Sequence, residues 1–186
     1  MRITEQAHQA VHGVVQTGET VVDATAGNGH DTLFLARLVG PQGRVLAFDI
    51  QEAALAATRM RLSKGNIEAD RVRLVCKSHG ELDRYATDPI AAVMFNLGYL
   101  PGSDRVCRTT LDETVRGLGS AWALLRKGGI LTVVCYRGHE GGAEEAGAVL
   151  RFAETRKSDG AALTMSGREE SRDGPFLVAL QKPWPS

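Results

Sequence analysis

Cysteine is scarce in this chain: the 186 residues hold three, Cys76, Cys107 and Cys135. They form no C-x-x-C pair and no His/Cys spacing of the kind that binds zinc, so no metal site is expected. An odd count without pairing excludes a disulfide framework and fits a reducing compartment. Cys76 and Cys135 fall at strand ends and are expected to be small buried apolar residues. Net charge is missing as well: 22 Lys and Arg offset 22 Asp and Glu. That balance excludes a protein that grips nucleic acid by bulk charge and leaves room only for a local basic patch. No apolar run is long enough to span a bilayer, and no apolar core follows the first Met. The expected location is the cytoplasm, with no membrane partner. No repeat and no Pro/Ser-rich linker divides the chain, so residues 1–186 are expected to form a single domain. A domain of that length buries roughly 70% of its unfolded surface and needs no covalent staple.

Short apolar runs alternate with amphipathic stretches, the pattern of an α/β domain. Helices are expected over 4–16, 31–39, 52–63, 109–126 and 141–155. Strands are expected over 21–24, 44–49, 72–76, 90–96 and 130–136, with Lys127-Gly128-Gly129 as the turn before the last of these. The run from Ile90 to Asn96 is nearly all apolar, as a central parallel strand should be. Leu97 to Cys107 is too rich in Gly and Pro for a regular element. Two closing strands, 162–168 and 176–181, have no helix-length segment between them and should pair antiparallel. The expectation is therefore a mostly parallel seven-stranded sheet flanked by helices, with a C-terminal antiparallel β-hairpin. That ending is similar to the Rossmann-like class I methyltransferase fold, whereas a dinucleotide-binding domain continues with another βαβ unit.

The first strand runs into Asp23-Ala24-Thr25-Ala26-Gly27-Asn28-Gly29-His30-Asp31. Gly27 and Gly29 let a ligand approach the main chain, and the helix start that follows offers N–H donors. Asp49 closes the second strand 20 residues beyond Gly29, where an acid can accept both ribose hydroxyls of a nucleoside; Gln51 is placed to touch the same adenosine. NAD sites keep G-x-G-x-x-G, but the third glycine position here is Thr32. Asp23 would sit badly beside a pyrophosphate and suits the cationic amino-acid end of S-adenosylmethionine (SAM), the expected cofactor.

This loop resembles motif I of class I methyltransferases, with Thr25 where the first glycine usually stands. Leu125 to Leu131 resembles the turn before strand five of that fold. The segments Asp23–Thr32, Asn96–Asp104, Tyr136–Gly142 and Pro175–Lys182 together resemble the YtqB/MnmM family, over nearly the whole chain. The resemblance implies methylation of 5-aminomethyl-2-thiouridine at the tRNA wobble position, with tRNA as partner. It implies cofactor contacts from Asp23, Thr25, Gly27, Asn28, Gly29, Asp31, Asp49, Gln51, Ser78, His79 and Asn96. It further implies substrate contacts from Tyr99, Asp104, Tyr136 and His139. After the third strand this chain reads Lys77-Ser78-His79-Gly80, where the family tends to Asp-Ser-His-Glu.

Methyl transfer is an in-line displacement, so alignment of donor and acceptor can lower the barrier by roughly 7–11 kcal/mol. N-methyltransferases acting on nucleic acid often carry Asn/Asp-Pro-Pro-Tyr after strand four; this chain has Asn96-Leu97-Gly98-Tyr99. Asn96 can accept a hydrogen bond from an acceptor amine, and Tyr99 can stack on a base. Such an amine is cationic in water, with a pKa around 10. His139 is the candidate base, and Asp104 can hold the charged amine. Asn96, Tyr99 and His139 are thus the candidate catalytic residues. Arg105, Arg108, Arg116, Lys127 and Arg137 are candidate phosphate contacts, interspersed with acids. The rival readings are a methyltransferase of rRNA or of a small amine, an NAD-dependent oxidoreductase, and a non-catalytic RNA-binding module. A homodimer would help so small a domain contact a large RNA.

Overall fold

Apolar residues on both faces of a strand demand cover on both sides, and five helices among the described residues supply it. The computed structural model describes residues 1–86, 89–98, 110–138, 140–167 and 174–184. The helices are α1 (Ile3–His12), α2 (His30–Leu38), α3 (Glu52–Lys64), α4 (Leu111–Leu124) and α5 (Gly142–Ser158). The strands are β1 (Thr20–Asp23), β2 (Arg44–Asp49), β3 (Val72–Cys76), β4 (Ile90–Leu97), β5 (Leu125–Cys135), β6 (Ala162–Ser166) and β7 (Phe176–Gln181). They form one sheet in the order β3-β2-β1-β4-β5-β7-β6. The first five are parallel to their neighbours, whereas β7 runs antiparallel to both β5 and β6. This is the sheet expected for the class I methyltransferase fold, hairpin included.

Strand periodicity sorts the core into two layers. Val22, Phe48, Val93, Phe95, Leu131 and Val133 face α4 and α5, packed with Leu118 and Val149. Val21, Ala47, Ala92, Met94 and Val134 face α1, α2 and α3, packed with Val11, Leu35 and Leu62. Each Val, Leu, Met or Phe side chain among them, moved from water to the interior, contributes roughly 1.5–3 kcal/mol. The helix ends are tied down by polar groups, some local and some from distant segments. Thr110 and Glu113 form a reciprocal cap at the start of α4, with Thr110 N–H donating to Glu113 Oε2 at 2.7 Å. Lys182 Nζ donates to the carbonyls of Trp122 and Leu125 at the end of α4, at 3.0 and 2.8 Å. Buried Arg71 does the same for Ala36 and Gly40 at the end of α2.

The elements differ from the sequence expectation in places where tertiary contacts override local pattern. Helix α1 stops at His12 rather than 16, although Val15 beyond it is still buried. Strand β5 starts at Leu125, through the glycines expected as a turn. Gly128 bends the strand with φ of 69°, and the backbone pairs with the chain end: Gly128 N–H donates to Lys182 C=O, and Lys182 N–H to Gly129 C=O. Two 3-10 segments, Ala69–Arg71 and His79–Arg84, were not expected. Cys135 is buried as expected, but Cys76 is exposed, because it ends β3, an edge strand of the sheet. Cys107 lies outside the described residues, as does most of the Leu97–Cys107 segment. Among the described residues, no helix is long and apolar enough to cross a membrane.

Candidate active site

All parallel strands point their C-terminal ends the same way, so the turns after β1, β2, β4 and β5 meet at one edge of the sheet, the usual place for a ligand crevice. The turn after β1 is held by five hydrogen bonds from four directions. Ala24 N–H donates to Met94 C=O on β4 and Ala26 N–H to Phe48 C=O on β2, at 2.8 and 2.7 Å. From α3, Thr58 Oγ1 donates to Gly27 C=O at 3.0 Å and Arg61 Nε to Asn28 C=O at 2.5 Å. His79, after β3, reaches Ala24 C=O with Nδ1 at 3.2 Å. Gly29 starts α2 with φ of 77°, and a Cβ there would stand 2.8 Å from Thr58 Cα; only glycine meets both demands.

Asp49 accepts from Gly27 N–H through one carboxylate oxygen and from Gln51 N–H through the other, both at 2.9 Å. Each oxygen keeps further acceptor capacity. Thr25 Oγ1 accepts from Asn96 N–H at 2.8 Å and so binds the first loop to the end of β4. The Asn96 side chain is treated differently: its Oδ1 is buried and has no hydrogen-bond partner. Such an atom costs stability unless a ligand completes it. Two residues on, Gly98 leaves room for Tyr136, whose Cε2 would lie 2.9 Å from a Cβ at 98. Asn28 is exposed at the tip of the first loop. Tyr99, Asp104 and His139 lie outside the described residues.

Asp23 is completely buried rather than facing a ligand. Its carboxylate accepts from Thr32 Oγ1 at 2.5 Å and Thr25 N–H at 3.0 Å, so it shapes the loop from beneath. Burial, with the Asp31 charge second, pushes its carboxyl up to about 7. His79 is also committed. It is 2% exposed, meets Phe95 edge-on at 5.2 Å, and has Thr114 Oγ1 3.4 Å from Nε2. Thr114 in turn donates to Glu145 at 2.7 Å. Gly117 makes space for the ring, since a Cβ there would be 2.8 Å from His79 Cδ2. Burial holds the imidazole down at about 4, so it is neutral in this position. Ser78 accepts from Gly80 N–H at 3.1 Å and starts the turn that carries His79. Thr58, Arg61, Thr114 and Glu145 carried no local signal in the sequence. His8, which pairs with Asp31 at 2.6 Å, had one: a polar residue on the side of α1 that also carries Val11.

These two buried groups give stability opposite pH slopes. Between pH 4 and 6.5 the unfolded chain protonates His79 and the folded one does not, so this contribution is lost as pH falls, up to about 3 kcal/mol. For Asp23 the folded state holds the extra proton from its unfolded value of 3.8 up to about 7, so stability is lost as pH rises. Urea midpoints across this window should therefore fall with rising pH in His79→Gln and rise with pH in Asp23→Asn. Identical slopes in both variants and the parent chain would refute the assigned burial of both groups.

Among the candidate phosphate contacts, Arg116 and Lys127 are exposed and Arg137 is half-buried over the Phe176 ring at 5.0 Å; Arg105 and Arg108 lie outside the described residues. The sequence matches the family described as "Putative rRNA methylase" over residues 45–181. It is 38% identical over 160 residues to a chloroplastic tRNA (mnm5s2U34)-methyltransferase of Arabidopsis thaliana, covering 81% of this chain. The chain spans 58% of the length of that relative. The fold is similar to the crystal structure of an rRNA-methylase, named as putative, from Clostridium thermocellum: TM-score 0.91, 42% identity, 98% of each chain. It is also similar to a methyltransferase of Streptococcus mutans, likewise named as putative and solved with S-adenosylhomocysteine (SAH): TM-score 0.86, 33% identity, 98% of each chain.

Proposed function

The chain belongs to the rRNA methylase family just described, and from that premise we propose that it is a SAM-dependent N-methyltransferase. Its acceptor in this reading is the aminomethyl group of 5-aminomethyl-2-thiouridine at the tRNA wobble position. The SAH-bound structure from Streptococcus mutans supports the donor, and the name of the relative from Arabidopsis supports the acceptor. A single catalytic unit over 1–186, a cytoplasmic location and pairing of two copies are parts of the same proposal.

The residues present fit the cofactor. Asp49 would hold the ribose hydroxyls with the acceptor capacity its two backbone donors leave free. Gln51 would lie along the adenosine, and the loop from Thr25 to Gly29 would carry the amino-acid end. Bound there, SAM supplies a methyl group activated on a sulfonium. Asp23 and His79 act through the loop, as positioning residues, because both are buried and already bonded to it. Ser78 sets the turn that delivers His79.

The observation that carries the reading is the buried, unpartnered Oδ1 of Asn96 at the end of β4. An acceptor amine donating to that oxygen has its lone pair on the opposite side, directed away from the asparagine. Tyr136 would wall the acceptor. Tyr99, Asp104 and His139 keep the roles expected from the sequence: stacking on the base, holding the amine and removing its proton. A groove of about 580 Å³ along α1 and α2, lined by His12, His30, Phe34 and Arg37, offers cationic and aromatic groups suited to an RNA strand.

The test is nucleoside mass spectrometry of tRNA that carries the aminomethyl group but lacks the methyl. Incubation with the protein and SAM should add one methyl to 5-aminomethyl-2-thiouridine. Methylation of rRNA or a free amine, with that tRNA unchanged, would replace the acceptor and retain the donor.

A further inference from the structure

A line of polar contacts runs from the first loop through α4 to α5, and it has three contacts but two protons. His79 Nδ1 lies 3.2 Å from Ala24 C=O, and His79 Nε2 lies 3.4 Å from Thr114 Oγ1 on α4. Thr114 Oγ1 donates to Glu145 Oε1, in the first turn of α5, at 2.7 Å. A carboxylate only accepts and a hydroxyl has one proton, so Thr114 turns its proton to Glu145 and its lone pairs to the imidazole. The Ala24 carbonyl is an acceptor too. His79 is 2% exposed and neutral, and a neutral imidazole has one N–H. Two acceptors therefore flank one donor.

The ring has no room to resolve this by moving. Phe95 meets it edge-on, and a Cβ at Gly117 on α4 would lie 2.8 Å from His79 Cδ2 and 3.1 Å from the His79 carbonyl oxygen. A Cβ at Gly80 would be 3.2 Å from Glu113 Cα, so the turn beside His79 is seated directly on α4. What stays adjustable is the proton, since the bond made at one ring nitrogen sets the state of the other. On Nδ1 it ties His79 to Ala24 and so to the first loop. On Nε2 it completes a line from His79 through Thr114 to Glu145 and withdraws that donor from Ala24. No proton enters or leaves the line in passing from one arrangement to the other.

We propose that Thr114 and Glu145 are positioning residues for SAM: Glu145 holds the Thr114 hydroxyl toward α5, which draws the His79 proton to Nε2 and loosens the grip of His79 on the cofactor loop. A donor that takes the place of Thr114 at Glu145 Oε1 reverses this. The Thr114 proton then turns to Nε2, the His79 proton returns to Nδ1, and the loop is held at Ala24. Both residues act through His79, and their role rests on the SAM site proposed above.

The experiment reads the His79 ring by nitrogen-15 NMR, which separates a protonated ring nitrogen from a bare one, and SAM affinity by calorimetry. Both are measured on the parent chain, Thr114→Ser, Thr114→Val and Glu145→Leu. In the parent and in Thr114→Ser, Nε2 should carry the proton for a measurable share of the time. Thr114→Val removes the acceptor at Nε2, and Glu145→Leu frees the Thr114 hydroxyl to donate there, so both should move the proton to Nδ1. Both should also bind SAM more tightly, by about fivefold, the size of one net hydrogen bond. A bracing role alone gives the opposite sign, weaker binding in both. The same proton position in all four proteins overturns the inference, as does a doubly protonated ring in the parent. So does SAM affinity that is unchanged or weaker in Thr114→Val and Glu145→Leu. If Thr114→Val does not fold, Glu145→Leu decides by the same two readouts. A parent chain that binds no SAM would instead remove the cofactor site, and this inference with it.

Discussion

Asp49→Ala should weaken SAM binding by about 10²–10⁴-fold, the loss of two hydrogen bonds to a charged group at roughly 1.5–3 kcal/mol each. The carboxylate has two jobs at once. It accepts from Gly27 N–H and Gln51 N–H, which sets the distance between the first loop and the end of β2. Its remaining lone pairs would take the ribose hydroxyls. Alanine removes both functions, so the loop is left without one of its anchors as well as the ligand without its acceptor. Asp49→Asn keeps one oxygen and should fall between, near about tenfold, one such bond. Calorimetric titration of each variant checks this, with thermal melting to confirm that the sheet is intact. Unchanged affinity in Asp49→Ala would take Asp49 out of the cofactor site.

Asn96→Ala should lower kcat by about 10²–10³-fold, the cost of removing one preorganised polar group from a reacting centre. SAM affinity should stay as it was. The reason is that the link to the first loop runs through the Asn96 backbone N–H to Thr25 Oγ1, which alanine preserves. The strand pairing of Asn96 with Val134 is also a backbone matter and survives. Stability should hold or rise, because an unpartnered buried oxygen costs about 1–3 kcal/mol and alanine does not have one. A variant that is more stable yet slower is the mark of a residue kept for its ligand. A variant with normal turnover would dismiss Asn96 from the acceptor site.

The frame was legible because strands declare themselves locally. Val21 to Asp23, Arg44 to Asp49 and Ile90 to Leu97 are apolar runs of strand length between turn residues, and each forms the strand expected within a residue or two. The hairpin was legible because the sequence leaves no helix-length segment between the two closing strands, 162–168 and 176–181. Asp49 could be found by spacing alone, since the strand–turn–helix order places the end of the second strand beside the first loop.

Other features had no local mark. Asp23 reads in sequence as an acid at a strand end, available to a cation; only the fold buries it beneath Thr25 and Thr32 and raises its carboxyl. His79 reads as a cofactor contact, and the fold seats it between Ala24, Phe95 and Thr114 as a neutral brace. Lys127-Gly128-Gly129 has the composition of a turn, yet pairing with Lys182 draws the segment into β5.

The sequence by itself determined the alternation of elements, the closing hairpin and the residue types at the strand ends, because periodicity and turn chemistry act over a few residues. Only the tertiary structure decided which of those residues reach a ligand. His8 meets Asp31 across 23 residues, His79 meets Ala24 across 55, and Asn96 meets Thr25 across 71. Contacts at such separations leave no repeating pattern along the chain. Burial, which sets whether a carboxylate is charged or an amide oxygen is left unpartnered, is a property of the packed sheet and its two helical layers.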